Sequence, residues 1–239
     1  ALYQLGRAYQ GILNLLYPQV CVFCGEICPE GICENCRERV KRAEGSVCLK
    51  CGKPVSDHEK EYCAECGRKK QSFDQGKSLY LHQGNAAAAV YRFKFQNQRN
   101  YAAVFAKELE KRYGTQIRRW KPDVLIPIPL HKKKRKKRGY NQAELLAEKL
   151  SEHTGIQLEK NVLKRVRNTH PQKDLDPAER SWNLRNAFAV ESGWKPAETV
   201  LLVDDIYTTG STIDKAAEIL KKSGVDKVYF LSISIGQDL

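Results

Sequence analysis

Asp204 and Asp205 stand side by side at the end of an unbroken apolar run, Val200 to Val203, and a loop of Thr208, Thr209, Gly210, Ser211 and Thr212 follows them. Backbone N–H groups in a glycine-permitted turn at a helix N-terminus form an anion cradle, and four hydroxyls add side-chain donors. Carboxylates repel a phosphate, so the two acids are expected to hold sugar hydroxyls or a metal ion beside it. A ribose phosphate with magnesium satisfies both halves. The stretch lacks the Gly-Lys-Ser/Thr end of a Walker loop and the G-x-G-x-x-G of a dinucleotide-binding turn. A bland alternative, a buried strand whose polar end only caps the next helix, leaves two adjacent acids without a purpose.

An apolar strand, two acids and a T-T-G-x-T loop resemble the signature of type I phosphoribosyltransferases. The resemblance implies that Thr208 to Thr212 bind the 5′-phosphate of phosphoribosyl pyrophosphate. It implies that Asp204 and Asp205, the candidate catalytic residues, contact the ribose hydroxyls.

A second chemistry is concentrated near the N-terminus, where all nine cysteines lie between Cys21 and Cys66. Eight form C-x-x-C pairs: Cys21/Cys24, Cys33/Cys36, Cys48/Cys51 and Cys63/Cys66. Glycine follows three of the pairs directly, as Gly25, Gly52 and Gly67, and lets backbone amides turn toward sulfur. Four thiolates per site select zinc, so two structural zinc ions are expected. Serial pairing of the first four and the last four cysteines is favoured over an interleaved arrangement. Cys28 and His58 are expected to be bystanders. Disulfides need a secretory context that the sequence does not offer. Metal binding supplies the folding free energy that so small and polar a segment lacks.

The elements between these two sites must position them. Lys77 to His82 reads as a strand, and Gly84 and Asn85 break and cap a helix beginning at Ala86. Tyr91 to Arg99 interleaves aromatics with cations, which suits nucleic acid and equally suits an amphipathic helix end. A helix over Tyr101 to Tyr113 leads to the strand Val124–Ile126. That strand is closed by Pro127-Ile128-Pro129-Leu130, and ligands gather at such strand ends in open α/β sheets. By comparison with phosphoribosyltransferases, Pro127 and Ile128 take the pyrophosphate-loop role. The run His131 to Arg138 carries seven consecutive cations, Lys132 to Arg138. It is expected to be a mobile positive loop, with Arg138 beside the hinge Gly139 contacting pyrophosphate or polynucleotide. A helix starts at Asn141 and runs through Leu150. Arg165 to Phe188, polar and proline-broken, reads as a hood before the final strand, with Gln172, Arg180, Asn183 and Arg185 as its functional side chains. His170 is a weaker acid–base candidate there.

Paired cysteine knuckles, then P-I-P-L-H, a basic run ending R-G-Y-N-Q-A-E, T-x-x-Q, E-R-x-x-N-L-R-x-A-F and V-D-D-I-Y-T-T-G-S-T, together resemble the ComF family of bacteria. The likeness spans about Leu13 to Ile235. It implies zinc ribbons fused to a phosphoribosyltransferase domain. It also implies a part in natural competence, with single-stranded DNA and a helicase-type protein as partners. The cytoplasmic location it implies allows membrane association through such partners. The Lys132–Arg138 run is denser in lysine than the family pattern, and Cys28 is extra.

The expected architecture is an α/β fold with a mainly parallel sheet flanked by helices, preceded by a small zinc-ribbon domain. The expected divisions are an amphipathic N-terminal helix over 1–18, a double zinc ribbon over 19–70 and the phosphoribosyltransferase-like domain over 71–239. No apolar run approaches the roughly 18 to 20 residues of a membrane span, and no signal peptide is expected. The formal charge of +13, lowered by four if each zinc site carries −2, favours anionic partners. Two functional readings stand. One is a binding module for phosphoribosyl pyrophosphate or a nucleotide, with single-stranded DNA. The other is a phosphoribosyltransferase acting on an acceptor base that no residue marks.

Overall fold

The computed structural model describes residues 18–55, 59–166 and 187–237. The expected helix before residue 18, His58, His170 and the hood residues Gln172, Arg180, Asn183 and Arg185 lie outside these described residues.

Two short helices belong to the cysteine-rich segment, α1 (Glu34–Arg39) and α2 (Ala64–Arg68). Beyond them come β1 (Gln75–Leu81), α3 (Gly84–Phe95), α4 (Tyr101–Trp120), β2 (Val124–Pro127), α5 (Lys132–Arg138) and α6 (Gln142–Thr154). The chain continues with β3 (Gln157–Leu158), β4 (Leu163–Arg165), β5 (Phe188–Val190), β6 (Thr199–Tyr207), α7 (Ser211–Lys222) and β7 (Lys227–Ile235). Five strands form a wholly parallel sheet in the order β1-β7-β6-β2-β3, while β4 and β5 pair antiparallel.

The expected parallel α/β sheet is therefore present, with three local differences. Patterning takes the run at Val200–Val203 as the final strand, yet β7 follows it and sits beside it in the sheet. The signal in β7 is diluted by Ser232 and Ser234, which are fully buried; Ser78 and Ser232 share a 2.7 Å hydroxyl hydrogen bond. The cationic run is not a loop but the helix α5. Lysine and arginine are good helix formers, the His131 ring accepts from the Lys133 N–H at its start, and Gly139 ends it at φ 82°. Finally, α3 begins at Gly84 with Gln83 as its N-cap, so Asn85 lies within the first turn and does not cap it.

Side chains on successive strand residues point to opposite faces. On one face Leu201, Val203, Leu231 and Ile233 pack with Phe105 and Leu109 of α4 and Leu146 and Leu150 of α6. On the other, Val200, Leu202, Val228 and Phe230 pack with Ala216, Ala217 and Leu220 of α7. The cysteine-rich segment has no core of its own. Val22, Phe23 and Ile32 join the first cluster, and Cys48, Cys51 and Cys63 join the second. Between the two groups of cysteines the chain covers the β1 edge of the sheet: the Ala43 N–H donates to the Leu79 carbonyl and the Leu81 N–H to the Lys41 carbonyl.

Candidate phosphate and metal sites

The pairing of β6 with β7 runs on to Tyr207↔Ile235, so both acids sit inside the strand rather than after it. Alternation then separates them. Asp205 faces α3, where the Lys94 Nζ lies 2.8 Å from its Oδ1. Asp204 accepts the Asp205 N–H at 2.8 Å and feels the Arg165 charge from β4. Burial, reinforced by the neighbouring Asp205 charge, pushes the Asp204 carboxyl up to about 7, against the pull of Lys94 and Arg165. It is thus poised to change protonation near neutrality, a property concentrated at functional sites.

Three residues beyond Tyr207, Gly210 takes φ 76° and serves as the N-cap of α7, with no side chain bonding the first-turn N–H groups. Thr208 and Thr209 are exposed, and the Thr209 and Ser211 hydroxyls are 2.7 Å apart. The uncapped turn keeps its donors and the positive end of the helix dipole for an anion. Glycine is required twice over at position 210. A β-carbon there would meet the Tyr207 Oη at 2.3 Å in addition to the left-handed backbone.

The proline-stiffened turn lies beside this cradle. Pro127 pairs with Val203, and the Ile128 N–H donates to the Val203 carbonyl at 2.9 Å. The Asn141 Nδ2 donates to the Ile128 carbonyl at 3.0 Å, fixing the turn from the other side. Gln142 Nε2 donates to the Lys94 carbonyl at 3.2 Å, and the Tyr140 hydroxyl donates to the Phe93 carbonyl. These contacts tie the end of α3, and with it Lys94, to the start of α6. Arg138 completes the group, donating to Gln142 Oε1 at 2.6 Å; burial lowers its pKa while the Asp205 charge opposes that.

Of the residues expected from sequence, Asp204, Asp205 and Thr208 to Thr212 come from the end of β6 and its junction with α7, and Pro127, Ile128, Arg138 and Gly139 from the end of the adjacent β2 and the segment beyond it. Lys94, Arg165, Asn141 and Gln142 lie close to these residues, and no local pattern singles out Lys94 or Arg165. Lys94 was visible only as one cation of an aromatic run, and its partner lies far along the chain. The R-G-Y-N-Q string carried the signal for Asn141 and Gln142.

The cysteines form two groups, Cys21, Cys24, Cys33 and Cys36, and Cys48, Cys51, Cys63 and Cys66, with the ligand atoms of each group within 4.8 Å of one another. This is the serial arrangement. The Cys24–Cys33 and Cys51–Cys63 sulfur separations are both 3.7 Å. Tetrahedral zinc with Zn–S bonds of about 2.3 Å spaces its sulfurs by about 3.8 Å, so the thiolates fit the ion. Knuckle turns recur, with the Gly25, Gly52 and Gly67 N–H groups donating to the Cys21, Cys48 and Cys63 carbonyls at 2.9 Å. Cys28 belongs to neither group; it is buried, and its thiol lies 3.4 Å from Glu30 Oε2.

The second cysteine group packs behind the end of β6 that leads into the Thr208–Thr212 loop. Tyr207 is buried in one cluster with Cys48, Cys51 and Cys63, and it stacks on Phe230 with ring centroids 4.7 Å apart. From the end of α2, Lys69 Nζ meets the buried Asp214 of α7 at 2.7 Å, and the Ser72 N–H donates to the same carboxylate at 2.6 Å.

Family descriptions match both parts of the chain, a double zinc ribbon domain over residues 12–67 and a phosphoribosyl transferase domain over residues 94–233. A Haemophilus influenzae protein, "Competence protein F", is 33% identical over 87% of this chain and 93% of its own length. The chain belongs to the ComF family. "Competence protein ComFC" of Bacillus subtilis is 30% identical over 82% of this chain and 80% of its own. "DNA utilization protein YhgH" of Salmonella typhimurium is 32% identical over 58% of this chain and 62% of its own. Membership accounts for the joint presence of cysteine knuckles and a phosphoribosyltransferase sheet in one chain. Among the described residues no helix is long and apolar enough to cross a membrane.

Proposed function

We propose that this ComF-family chain binds phosphoribosyl pyrophosphate with magnesium at the β6–α7 junction, binds single-stranded DNA, and acts in natural competence and DNA uptake. The observation that carries the sugar-phosphate reading is the uncapped, hydroxyl-lined N-terminus of α7 directly after two acids, one of them paired with Lys94. The loop N–H and hydroxyl groups would take the 5′-phosphate, and Asp204 and Asp205 would accept hydrogen bonds from ribose hydroxyls. The proline turn and Arg138 would meet the pyrophosphate. Magnesium suits these oxygen donors and would offset the charge of the pyrophosphate oxygens. The competence role follows the names of the relatives, and the basic surface of α5 supports the nucleic-acid part. A helicase-type protein remains the proposed partner.

The second reading is phosphoribosyl transfer, and it draws on the paired acids. An acceptor nitrogen would form a bond to the anomeric carbon as the C–O bond to pyrophosphate breaks, the electron pair leaving with pyrophosphate and the acceptor losing a proton. Asp204 and Asp205 would stabilise the positive charge developing on the ribose by position and field. We favour binding over turnover because no side chain marks an acceptor. Calorimetric titration of the full chain with phosphoribosyl pyrophosphate and magnesium tests the shared premise. Binding is expected, and it should vanish in the Asp204→Asn/Asp205→Asn double variant with two zinc ions retained. Tight binding by that variant would refute the site, and pyrophosphate release with any acceptor would move the reading to catalysis.

A further inference from the structure

Beside the acids, on the α3 side, a cleft of about 530 Å³ opens between the end of α3 and the face of α5. Its cations are Lys94, Lys134, Lys137 and Arg138; Phe95, Asn97 and Tyr140 supply the rest of its lining, and no acid does. The volume lies within the range of about 300 to 1,000 Å³ usual for small-ligand sites.

The aromatic side chains here are unusual for a protein surface. Tyr91 and Phe95, one helical turn apart, are 57% and 58% exposed, and their rings lie 4.9 Å apart. The Arg138 guanidinium lies over the Phe95 ring at 4.7 Å, and Arg99 lies over Tyr140 at 4.8 Å. Phe95, exposed and with a cation over its ring, forms with the neighbouring Tyr91 ring a platform on which a flat heterocycle can stack. Asn97, in the cleft lining, adopts φ 54°, and its Oδ1 accepts from the Arg99 Nε at 2.9 Å. Lys94 joins this platform to Asp205.

We propose that this cleft binds a nucleotide of single-stranded nucleic acid, its base stacked on Phe95 and its phosphates held by Lys134, Lys137 and the exposed cations of α5. The inference rests on the nucleic-acid part of the proposed function and gives it a location. A polynucleotide is favoured over a free nucleotide because the cations outrun one phosphate. Lys132, Lys133 and Lys136 are exposed on α5 beyond the cleft lining, so the positive surface continues past it. A base in the cleft would also stand next to the acids proposed to hold the ribose, which would bring strand and sugar-phosphate sites into contact.

The test is fluorescence anisotropy on the full chain with a labelled oligothymidylate, with thymidine 5′-monophosphate as competitor, across a salt series. Phe95→Ala should weaken oligonucleotide binding by about 5- to 150-fold, the usual range for losing one stacked base, and Phe95→Trp should restore it with quenching of the new indole. Lys134→Gln/Lys137→Gln should lower the slope of log affinity against log salt by about 1.4. If wild type binds the strand but Phe95→Ala and the lysine pair bind it equally well, the cleft assignment is overturned while the nucleic-acid reading stands. If wild type binds neither probe, both fall. Competition by the mononucleotide at equal affinity would overturn the polynucleotide assignment. Loss of phosphoribosyl pyrophosphate binding in the Asp204→Asn/Asp205→Asn variant, with strand affinity kept, would support two adjoining sites.

Discussion

Asp204→Asn should make the unliganded protein more stable at alkaline pH while removing its sugar-phosphate affinity. In the fold the carboxyl is pushed from its ordinary 3.8 to about 7, chiefly by burial. Well below pH 3.8 it is neutral in both folded and unfolded chains, and the substitution changes little. As pH rises from 4 to 7 the unfolded chain loses its proton first, so stability falls across that window and levels off above it. At about 1.4 kcal/mol per pH unit the penalty at pH 8 is on the order of 4 kcal/mol, an upper bound because the side chain keeps some contact with solvent. Asparagine removes the penalty and keeps an acceptor for the Asp205 N–H. Urea unfolding at pH 4.5 and pH 8, with calorimetric titration of phosphoribosyl pyrophosphate and magnesium, measures both effects. The variant should gain stability at pH 8 far more than at pH 4.5. A variant less stable than wild type at pH 8, or a gain equal at the two pH values, would refute the argument that burial of this charge is a strain kept for ligand binding.

Gly210→Ala places a β-carbon 2.3 Å from the Tyr207 Oη on a backbone at φ 76°. It should cost about 2 to 4 kcal/mol of stability and at least tenfold in sugar-phosphate affinity, read by denaturation and calorimetry; wild-type binding would show that the loop is not the cradle. Chelation of zinc should weaken phosphoribosyl pyrophosphate binding as the second cysteine group empties, because Tyr207 packs with those cysteines and Asp214 pairs with Lys69 just beyond them. Zinc affinity, measured by equilibrium competition with a colorimetric chelator, should rise with the ligand bound, and an identical affinity would deny the coupling. Arg37→Ala leaves Glu108, only 10% exposed, without the guanidinium that now bonds both its oxygens at 3.1 Å. A loss of about 2 kcal/mol in urea unfolding is expected, and no change would mean that the contact between α1 and α4 is dispensable.

Much of this protein is readable from local order. Eight cysteines in C-x-x-C pairs determine the metal chemistry because ligand spacing within a knuckle is a property of a few adjacent residues. The acids and the Thr208–Thr212 loop are likewise one continuous string, and their order alone points to a sugar phosphate. Positions set by distant partners were not readable. Lys94 becomes part of the site because Gln142 and Tyr140 hold the end of α3 against the start of α6, contacts made across nearly fifty residues. β7 escaped notice because its serines are satisfied by neighbouring strands, which no single-strand pattern reveals. The cationic run reads as a loop by charge but folds as a helix once His131 and Gly139 terminate it. The apolar residues of the zinc-ribbon segment join the clusters on both faces of the sheet, a placement no local pattern reveals. Sequence alone thus determined which chemical groups the chain carries and in what order. Only the tertiary structure decided that Asp205 pairs with Lys94 while Asp204 is left to the Asp205 N–H, and that Tyr207, at the end of β6, packs in one cluster with the second cysteine group. The reason is physical: alternation along a strand and packing between remote segments assign each side chain its neighbours, and those neighbours set its charge and its use.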